Sequence, residues 1–281
     1  MMLDSHVHFW DPAARRHVWL DDIRPLQRRF GPEDYLTGRH QVDAMIFVQA
    51  DCRDDEALDE ARWVNELAGL DPRVRGIVAY APLHLGACAR EAVSAVVDLP
   101  GVVGLRRLLQ DEPRALLLDP LLAEGVRLLA EYGLPFDLCI RHHQLPAAGA
   151  LVAACPEVTF VLDHLGKPPV AAGELDPWRE DLGKLAAHEN VVCKLSGLAT
   201  EAAMSWPAAV RPYLDHALQV FGPARCMLGS DWPVCTLAAT AGEWFDVVFD
   251  ALAELPSAER DAVLHGTACS VYGVGTLAKE R

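Results

Sequence analysis

The chain has 281 residues and is acidic, with 40 Asp and Glu against 25 Lys and Arg and a formal net charge of −15. This balance disfavours nucleic acids and anionic membrane surfaces as partners, because both attract basic patches. The eight cysteines form no CxxC pair, so neither a zinc ribbon nor a redox dithiol is indicated. We find no secretory signal and no apolar run of about 18 residues. We therefore expect a cytoplasmic protein that binds neither nucleic acid nor membrane.

Strand patterns alternate with helical patterns along the whole chain, which is typical of a parallel sheet. Strands are predicted at residues 3–9, 43–49, 74–80, 102–105, 135–140, 159–163, 190–195 and 226–229. Helices are predicted at residues 55–70, 87–97, 119–133, 147–154, 178–188, 208–221 and 243–255, with a final helix capped by Ser257 and running to about Tyr272. The long segment 11–40 has the length of a lid, and we expect it to include a short helix from residue 31 to about 40.

Eight strand–helix units predict a closed (β/α)8 TIM barrel, an α/β fold that typically needs about 250 residues. No repeat, linker or low-complexity tract divides the chain. We therefore expect residues 1–281 to form a single barrel domain with a long loop between the first strand and first helix, and an extra C-terminal helix. A doubly wound open sheet is the alternative, but no Gly-rich phosphate loop follows the first strand.

The first strand carries His6 and His8 in the sequence LDSHVHFWDP. Strand side chains alternate between two faces, so these two imidazoles point the same way. Together at a strand end they could ligate a metal ion or bind a polarised oxygen. The alternative is a pair of core histidines bonded to backbone carbonyl groups.

Further polar residues end other predicted strands, and a barrel brings all the carboxyl ends of its strands to one rim. These residues are Gln49, Arg106, His142, His164, Ser196 and Asp231. Burying them is costly unless they are paired. We therefore interpret the set as an active site, with mutually satisfied ion pairs as the alternative.

The strongest catalytic candidate is Asp231, which ends the last strand in MLGSDWP and can face the two histidines across the barrel seam. There it could act as a general base for water, although a turn Asp before Pro233 is the alternative. His164 has the parity of an inward-facing residue, but it could instead bond to the loop 165–169. Arg106 can bind a substrate carboxylate or carbonyl oxygen, or can pair with a neighbouring acid.

The remaining substrate-binding candidates are Gln49, His142, Trp10 and Trp232. The two tryptophans could stack on a sugar-like ring or pack under a loop. Period-two alternation favours His142 over its neighbours Arg141 and His143 as the residue that faces the site. For Lys194 we expect a structural ion pair.

The ordered segments LDSHVHFWDP, IFVQ, GLRR, FVLDHLGKP, VVCKLSGL, MLGSDWPV and GTACSVYG resemble the amidohydrolase-related family, and within it a branch of lactonases. The resemblance implies a distorted barrel that opens a lactone ring. It matches His6 and His8 to the family's first-strand histidines, His164 to a later strand-end histidine, Asp231 to the last-strand aspartate and Arg106 to the GLR arginine. Many relatives bind a divalent metal with such residues, and some lactonases work without one. The carboxylated lysine of the binuclear branches has no match, so we do not expect two metal ions.

We hypothesise that Asp231 activates a water molecule for attack on the lactone carbonyl. His6, His8 and His164 would polarise that carbonyl, or one divalent metal, zinc by expectation, would do so from His6, His8 and Asp231. We favour a sugar-acid lactone as the small-molecule substrate, because a dicarboxylate lactone would need more inward cations than Arg106. The alternatives are a zinc-dependent decarboxylase of the same superfamily and an inactive barrel that acts as a binding protein. The oligomeric state is not predicted.

Overall fold

The computed structural model describes residues 1–202 and 206–275. Eight parallel strands pair in the order of the sequence. They are β1 (Leu3–Val7), β2 (Ala44–Val48), β3 (Val74–Tyr80), β4 (Val102–Arg106), β5 (Phe136–Leu138), β6 (Phe160–Leu162), β7 (Val191–Leu195) and β8 (Cys226–Leu228). A parallel bridge between Val7 and Trp232 joins the two edges. The predicted (β/α)8 TIM barrel is therefore confirmed, with a nearly closed sheet.

Helices surround the strands in the predicted alternation. They are α1 (Ala57–Leu70), α2 (Arg90–Val97), α3 (Arg114–Leu117), α4 (Pro120–Arg127), α5 (Leu145–Ala154), α6 (Trp178–Ala186), α7 (Leu198–Ala202), α8 (Arg211–Phe221), α9 (Ala241–Ala251), α10 (Ser257–Asp261) and α11 (Thr267–Tyr272). Within the described ranges, none of these helices combines the length and the apolar character that crossing a membrane requires.

Two predicted helices form with a change of helical type along their length. The helix predicted from residue 119 starts as expected, with the Asp119 side chain accepting a hydrogen bond from the backbone of Leu121 at 2.9 Å. It tightens into a 3₁₀ turn over Leu128–Tyr132 and ends at Gly133, which adopts a left-handed φ of 66°. The final helix is interrupted by a π-helical turn over Ala262–Gly266.

The short helix predicted at residues 31–40 is wrong. Only a 3₁₀ turn forms, over Pro32–Asp34. Tyr35 leaves the helical conformation, and its buried ring packs on Trp232 with centroids 5.2 Å apart. This tertiary contact overrides the local helical preference. Ser257 is likewise not a cap, because Pro256 occupies the N-cap position and provides no side-chain hydrogen bond.

The C-terminal helix α11 closes one end of the barrel. Its residues Ala268 and Tyr272 pack against an apolar cluster contributed by the strands: Leu3, Ala44, Ile46, Val48, Val78, Val161, Val192 and Met227. Tyr272 is only 3% exposed. The last described helix is therefore part of the barrel core, and it brings a phenol into the interior.

Helix α4 packs very closely on the segment Leu83–Ala89. A Cβ atom added to Gly125 would lie 1.8 Å from the carbonyl oxygen of Leu83. We expect Gly125→Ala to lower the free energy of unfolding by about 3 kcal/mol, because backbone must move to relieve the overlap. Urea denaturation followed by circular dichroism measures this change.

Gly149 provides the matched control, since it also lies inside a helix but has nothing within 4 Å of an added Cβ. Gly149→Ala should be neutral or should stabilise the protein by about 1 kcal/mol, because alanine favours the helix. Equal effects of the two substitutions would contradict the packing argument.

Candidate active site

A cavity of about 300 Å³ opens at the carboxyl ends of the strands. Such a volume suits a small ligand. His8, His164, Asp231 and Arg106 line its inner part, and Trp19 contributes to its wall from the long segment between β1 and β2. Trp19 is held there by its indole N–H, which donates to the carbonyl of Ala50 at 2.9 Å. The segment predicted as a lid therefore supplies part of the cavity wall.

Three imidazoles surround one carboxylate oxygen at the inner end of the cavity. Oδ1 of Asp231 lies 3.3 Å from Nε2 of His8, 3.7 Å from Nε2 of His6 and 3.8 Å from Nε2 of His164. The two first-strand rings approach each other with their Nε2 atoms 3.1 Å apart. The structure thus brings together the four residues that the sequence singled out as catalytic.

Backbone hydrogen bonds across the seam set this geometry. The amide of Asp231 donates to the carbonyl of His6 at 2.9 Å, and the amide of His8 donates to the carbonyl of Trp232 at 2.7 Å. Asp231 and His164 both adopt left-handed backbone conformations, with φ of 62° and 54°. Such values are uncommon for residues other than glycine and are typical of functional sites.

Buried Asp4, which the sequence analysis missed, joins the elements that carry the site. Its Oδ1 accepts hydrogen bonds from the amides of Ser230 at 2.8 Å and His6 at 3.1 Å. Its Oδ2 accepts one from the hydroxyl of Tyr35 at 2.5 Å. Burial raises the pKa of Asp4, and the hydrogen bonds from Ser230 and Tyr35 oppose that rise. One carboxylate therefore ties β1 to the residue before Asp231.

Arg106 lines the cavity but is already paired. One terminal nitrogen donates to Oδ2 of Asp163 at 3.1 Å, and the other donates to the backbone carbonyl of Gln49. Its Nε has no hydrogen-bond partner among the described residues. Arg106 therefore forms an ion pair with Asp163 and also lines the cavity, so both roles predicted for it are compatible with the structure. Asp163 was also missed, although it immediately precedes His164 in DHLGKP.

Lys194 lies in the interior, where the expected ion pair is confirmed. Its ammonium group donates to Oδ2 of Asp137 and lies 3.2 Å from Oδ1 of Asp163. The hydroxyl of Tyr272 donates to the same Asp137 carboxylate at 2.9 Å. Burial raises the pKa of Asp137 to about 6, and the charge of Lys194 opposes that rise. Lys194 and Asp137 therefore connect Tyr272 of the C-terminal helix to His6.

The four predicted substrate-binding residues other than Arg106 do not line the cavity. Trp10 is fully buried, with its indole N–H donating to the carbonyls of Leu26 and Arg28 at 3.1 and 3.0 Å. Trp232 is 4% exposed and packs on Phe30 with ring centroids 5.6 Å apart. Both tryptophans therefore adopt the alternative, packing under the long segment.

Gln49 and His142 are also engaged elsewhere. The side-chain oxygen of Gln49 accepts a hydrogen bond from the amide of Asp51 at 2.6 Å. Nδ1 of His142 lies 3.1 Å from the carbonyl oxygen of Lys167. Gln49 thus shapes the turn that presents Asp51 to the cavity, and His142 supports the loop that carries Lys167.

Four charged or amide side chains of the cavity wall were not predicted as substrate ligands: Asp51, Gln110, Asp111 and Lys167. The ammonium group of Lys167 donates to the amide oxygen of Gln110. Asp51 and Lys167 have φ values of 57° and 50°, which turn the chain sharply after β2 and β6. Strand alternation cannot predict where a side chain points after such a turn.

The donor set of His6, His8 and Asp231 fits one divalent cation. Ligand atoms about 2.1 Å from a tetrahedral zinc ion lie roughly 3.4 Å from one another, and the three separations here are 3.1, 3.3 and 3.7 Å. Nδ1 of His8 lies 2.7 Å from the carbonyl oxygen of Val48. Because a carbonyl can only accept, Nδ1 carries the proton of a neutral ring and Nε2 offers a lone pair to a cation.

Burial also changes the protonation of these groups. It lowers the pKa of His164 to about 4, although Asp231 and Asp163 oppose this. It also lowers the pKa of His6 well below its ordinary value, against the opposing charge of Asp163. For Asp231, burial would raise the pKa, but the surrounding imidazoles, His164 foremost, hold it below the usual range. The carboxylate is therefore ionised at neutral pH.

We expect the cation-free protein to lose stability as the pH falls from about 6.5 to about 4. The unfolded chain protonates His164 near the ordinary pKa of 6.5, whereas the folded ring stays neutral down to about 4. Acid therefore adds protons to the unfolded state first. His164→Asn should remove up to about 3 kcal/mol of this pH dependence. Urea titrations across the window measure it, and equal pH dependence in both proteins would contradict the assignment.

Comparison with known proteins assigns the family. A family model described as Amidohydrolase matches residues 3–274. The L-fucono-1,5-lactonase of Burkholderia multivorans (strain ATCC 17616 / 249) is 36% identical over 302 aligned residues, which cover 100% of this chain and 99% of that protein. The L-fucono-1,5-lactonase of Burkholderia ambifaria is 32% identical, covering 97% of this chain and 95% of that protein. A crystal structure of an amidohydrolase from Burkholderia multivorans with bound Zn has a TM-score of 0.87 and 36% identity, covering 98% of this chain and 100% of that chain. The chain therefore belongs to the amidohydrolase family.

Proposed function

We propose that this enzyme hydrolyses the lactone of a sugar acid. The observation that carries the proposal is the ionised Asp231 among three imidazoles, at the inner end of a cavity of about 300 Å³. Two relatives that align over nearly the full chain are L-fucono-1,5-lactonases, at 36% and 32% identity. We therefore propose L-fucono-1,5-lactone, or a lactone of similar size and hydroxylation, as the substrate.

The cavity wall supports a hydroxylated substrate. Asp51 can accept hydrogen bonds from hydroxyl groups, and Gln110 and Lys167 can donate them. Leu108 and Val234 add apolar surface next to these polar groups. A mixed wall of this kind orients a small polyhydroxylated ring through a few directed bonds.

Asp231 acts as the general base in this proposal. Its carboxylate takes one proton from a water molecule as the water oxygen bonds to the lactone carbonyl carbon. The C=O π electrons move to the carbonyl oxygen, and His164 and Arg106 stabilise the resulting negative charge. The tetrahedral intermediate then reforms its C=O bond and breaks the bond to the ring oxygen. Asp231 returns its proton to that oxygen, and the new carboxylic acid releases a proton to solvent.

We propose that His6, His8 and Asp231 hold one divalent cation, and that zinc is the metal. A cation bound there would lower the pKa of a water molecule and would make proton removal by a weakly basic carboxylate easier. His8 contributes by keeping its proton on Nδ1, toward Val48, and His6 contributes from the same strand face. The separations between the three donor atoms support this assignment.

Metal analysis tests the cation site. We expect close to one equivalent of zinc per chain after dialysis of the wild type against zinc and then buffer, and at least a tenfold weaker affinity in His8→Ala. His143→Ala is the control, because that ring lies outside the cavity. Zinc binding that is unchanged by His8→Ala would exclude this donor set.

Substitution of the proposed base tests the chemistry. We expect Asp231→Asn to lower kcat for L-fucono-1,5-lactone about 10³-fold, because the amide cannot take a proton. Acid release, followed with a pH indicator, measures the rate, and thermal unfolding monitors the fold. Asp59→Asn, on the exposed surface of α1 and outside the cavity, is the control and should change kcat by less than about threefold.

Two results would reject the proposal. The first is near-wild-type turnover by Asp231→Asn. The second is wild-type protein that opens no sugar-acid lactone but releases CO₂ from aromatic carboxylic acids, which would favour the decarboxylase alternative. Acid release and CO₂ release are separate measurements, so the two chemistries are distinguished directly.

A further inference from the structure

The two first-strand histidines belong to a continuous chain of hydrogen bonds. Nδ1 of His8 faces the carbonyl of Val48 at 2.7 Å, so its Nε2 is an acceptor in a neutral ring. Nε2 of His6 lies 3.1 Å from that acceptor and fits a donor. With its proton on Nε2, His6 has a bare Nδ1, and the ammonium group of Lys194 lies 3.2 Å from it and can donate to it. The three groups of this chain are then paired donor to acceptor, and the other neighbour of Nε2, Nη1 of Arg106 at 3.5 Å, donates to Asp163 instead.

A second acceptor competes for the same histidine. Oδ1 of Asp163 lies 3.2 Å from Nδ1 of His6. The same oxygen also lies 3.2 Å from the ammonium group of Lys194, and both residues are fully buried. Without Lys194 this buried carboxylate oxygen would lose its ammonium partner, and a buried acceptor without a donor is costly. If the ring proton of His6 were on Nδ1 instead, it would point to this oxygen.

We propose that Lys194 is a positioning residue that keeps the ring proton of His6 on Nε2 in the cation-free protein, and that cation binding transfers the ring proton to Nδ1, facing Asp163. The two states hold the same number of protons. One N–H bond breaks at Nε2, with its proton passing to water, and one forms at Nδ1, with a proton from water. The part concerning the cation rests on the cation site proposed above.

The surroundings of Lys194 hold it against His6. Its ammonium group donates to Asp137, and that carboxylate also accepts a hydrogen bond from Tyr272 at 2.9 Å. Lys194 and Asp137 have no exposed surface. The C-terminal helix is thus connected through two buried charges to a proposed cation ligand.

The positive charge of Lys194 makes a distinctive prediction. It repels a cation nearby, and it stabilises the tautomer in which Nε2 cannot ligate. Removal of Lys194 should therefore strengthen cation binding, whereas a purely structural role would make its removal weaken binding. Asp163 acts in the opposite direction, since it accepts the Nδ1 proton of the ligating tautomer.

Nuclear magnetic resonance of the imidazole nitrogens tests the tautomer directly. In metal-free wild-type protein labelled with ¹⁵N, we expect the proton of His6 on Nε2. With saturating Zn²⁺ we expect it on Nδ1. In metal-free Lys194→Met we expect it on Nδ1 as well, because Asp163 becomes the partner. A wild-type His6 protonated on Nδ1 without metal, or a doubly protonated His8 ring, would overturn the proposal.

Zinc affinity, measured by competition with a chromophoric chelator, gives the second test. We expect Lys194→Met to bind Zn²⁺ about tenfold more tightly than wild type, and Asp163→Asn to bind it at least tenfold more weakly. Lys184→Met, on the exposed surface of α6, is the matched control and should bind like wild type. Weaker binding by Lys194→Met would overturn the proposal.

Lys194→Met removes the positive charge that faces the buried carboxylates of Asp137 and Asp163 and can therefore destabilise the fold. A variant with balanced charges is tested beside it. Asp137→Asn combined with Lys194→Met removes one charge of each sign and retains a hydrogen-bonding partner for Tyr272. It should show the same tautomer and the same gain in affinity. If the wild type bound no Zn²⁺, the proposed cation site would be rejected. The role of Lys194 would still be tested independently by the metal-free spectra.

Discussion

The hydrogen bonds accepted by Asp4 are the constraint on which the site depends. A barrel made of sequential strands must join its first strand to its last, and among the described residues that direct pairing is a single bridge between Val7 and Trp232. The Asp4 carboxylate strengthens this seam by binding the amides of His6 and Ser230. One of these amides belongs to His6 and the other to the residue before Asp231. The Asp4 carboxylate therefore also fixes the distance between the proposed base and the imidazole of His6.

Charge balance explains how so many ionisable groups remain buried under the cavity. Asp163 faces both Arg106 and Lys194, and Asp137 faces Lys194. Two cations thus offset two anions, which buried charges require. Isolated replacement of one member leaves the others uncompensated. The network consequently favours a single arrangement of the rings above it, which is what a catalytic site needs.

The eight strands could be predicted from the sequence, and so could the meeting of His6, His8, His164 and Asp231, because a barrel brings the carboxyl ends of its strands to one rim. Strand alternation predicted the common direction of His6 and His8. The sequence was insufficient for Asp4, whose partner Ser230 is 226 residues away. The position of Trp10 could not be predicted either. The residues around it in the sequence are compatible both with an indole buried under a loop and with an indole in a cavity. The positions of Asp4 and Trp10 are determined by long-range pairing and by burial. Neither of these produces a periodic pattern in the sequence.

Three residues of the cavity have a strained, left-handed backbone conformation. Asp51, His164 and Asp231, with φ values of 57°, 54° and 62°, follow β2, β6 and β8 and all line the cavity. Left-handed conformations cost such residues free energy, and a packed surrounding must hold them. The seam hydrogen bond from Asp231 to His6 and the contact of His164 with Ser196 at 2.8 Å provide that hold. Side chains of regular strands point into the barrel or toward the helices, so a sharp turn at the strand end is the means by which these groups reach the cavity. The left-handed turns after β2, β6 and β8 therefore both strain the backbone and place these three side chains in the cavity.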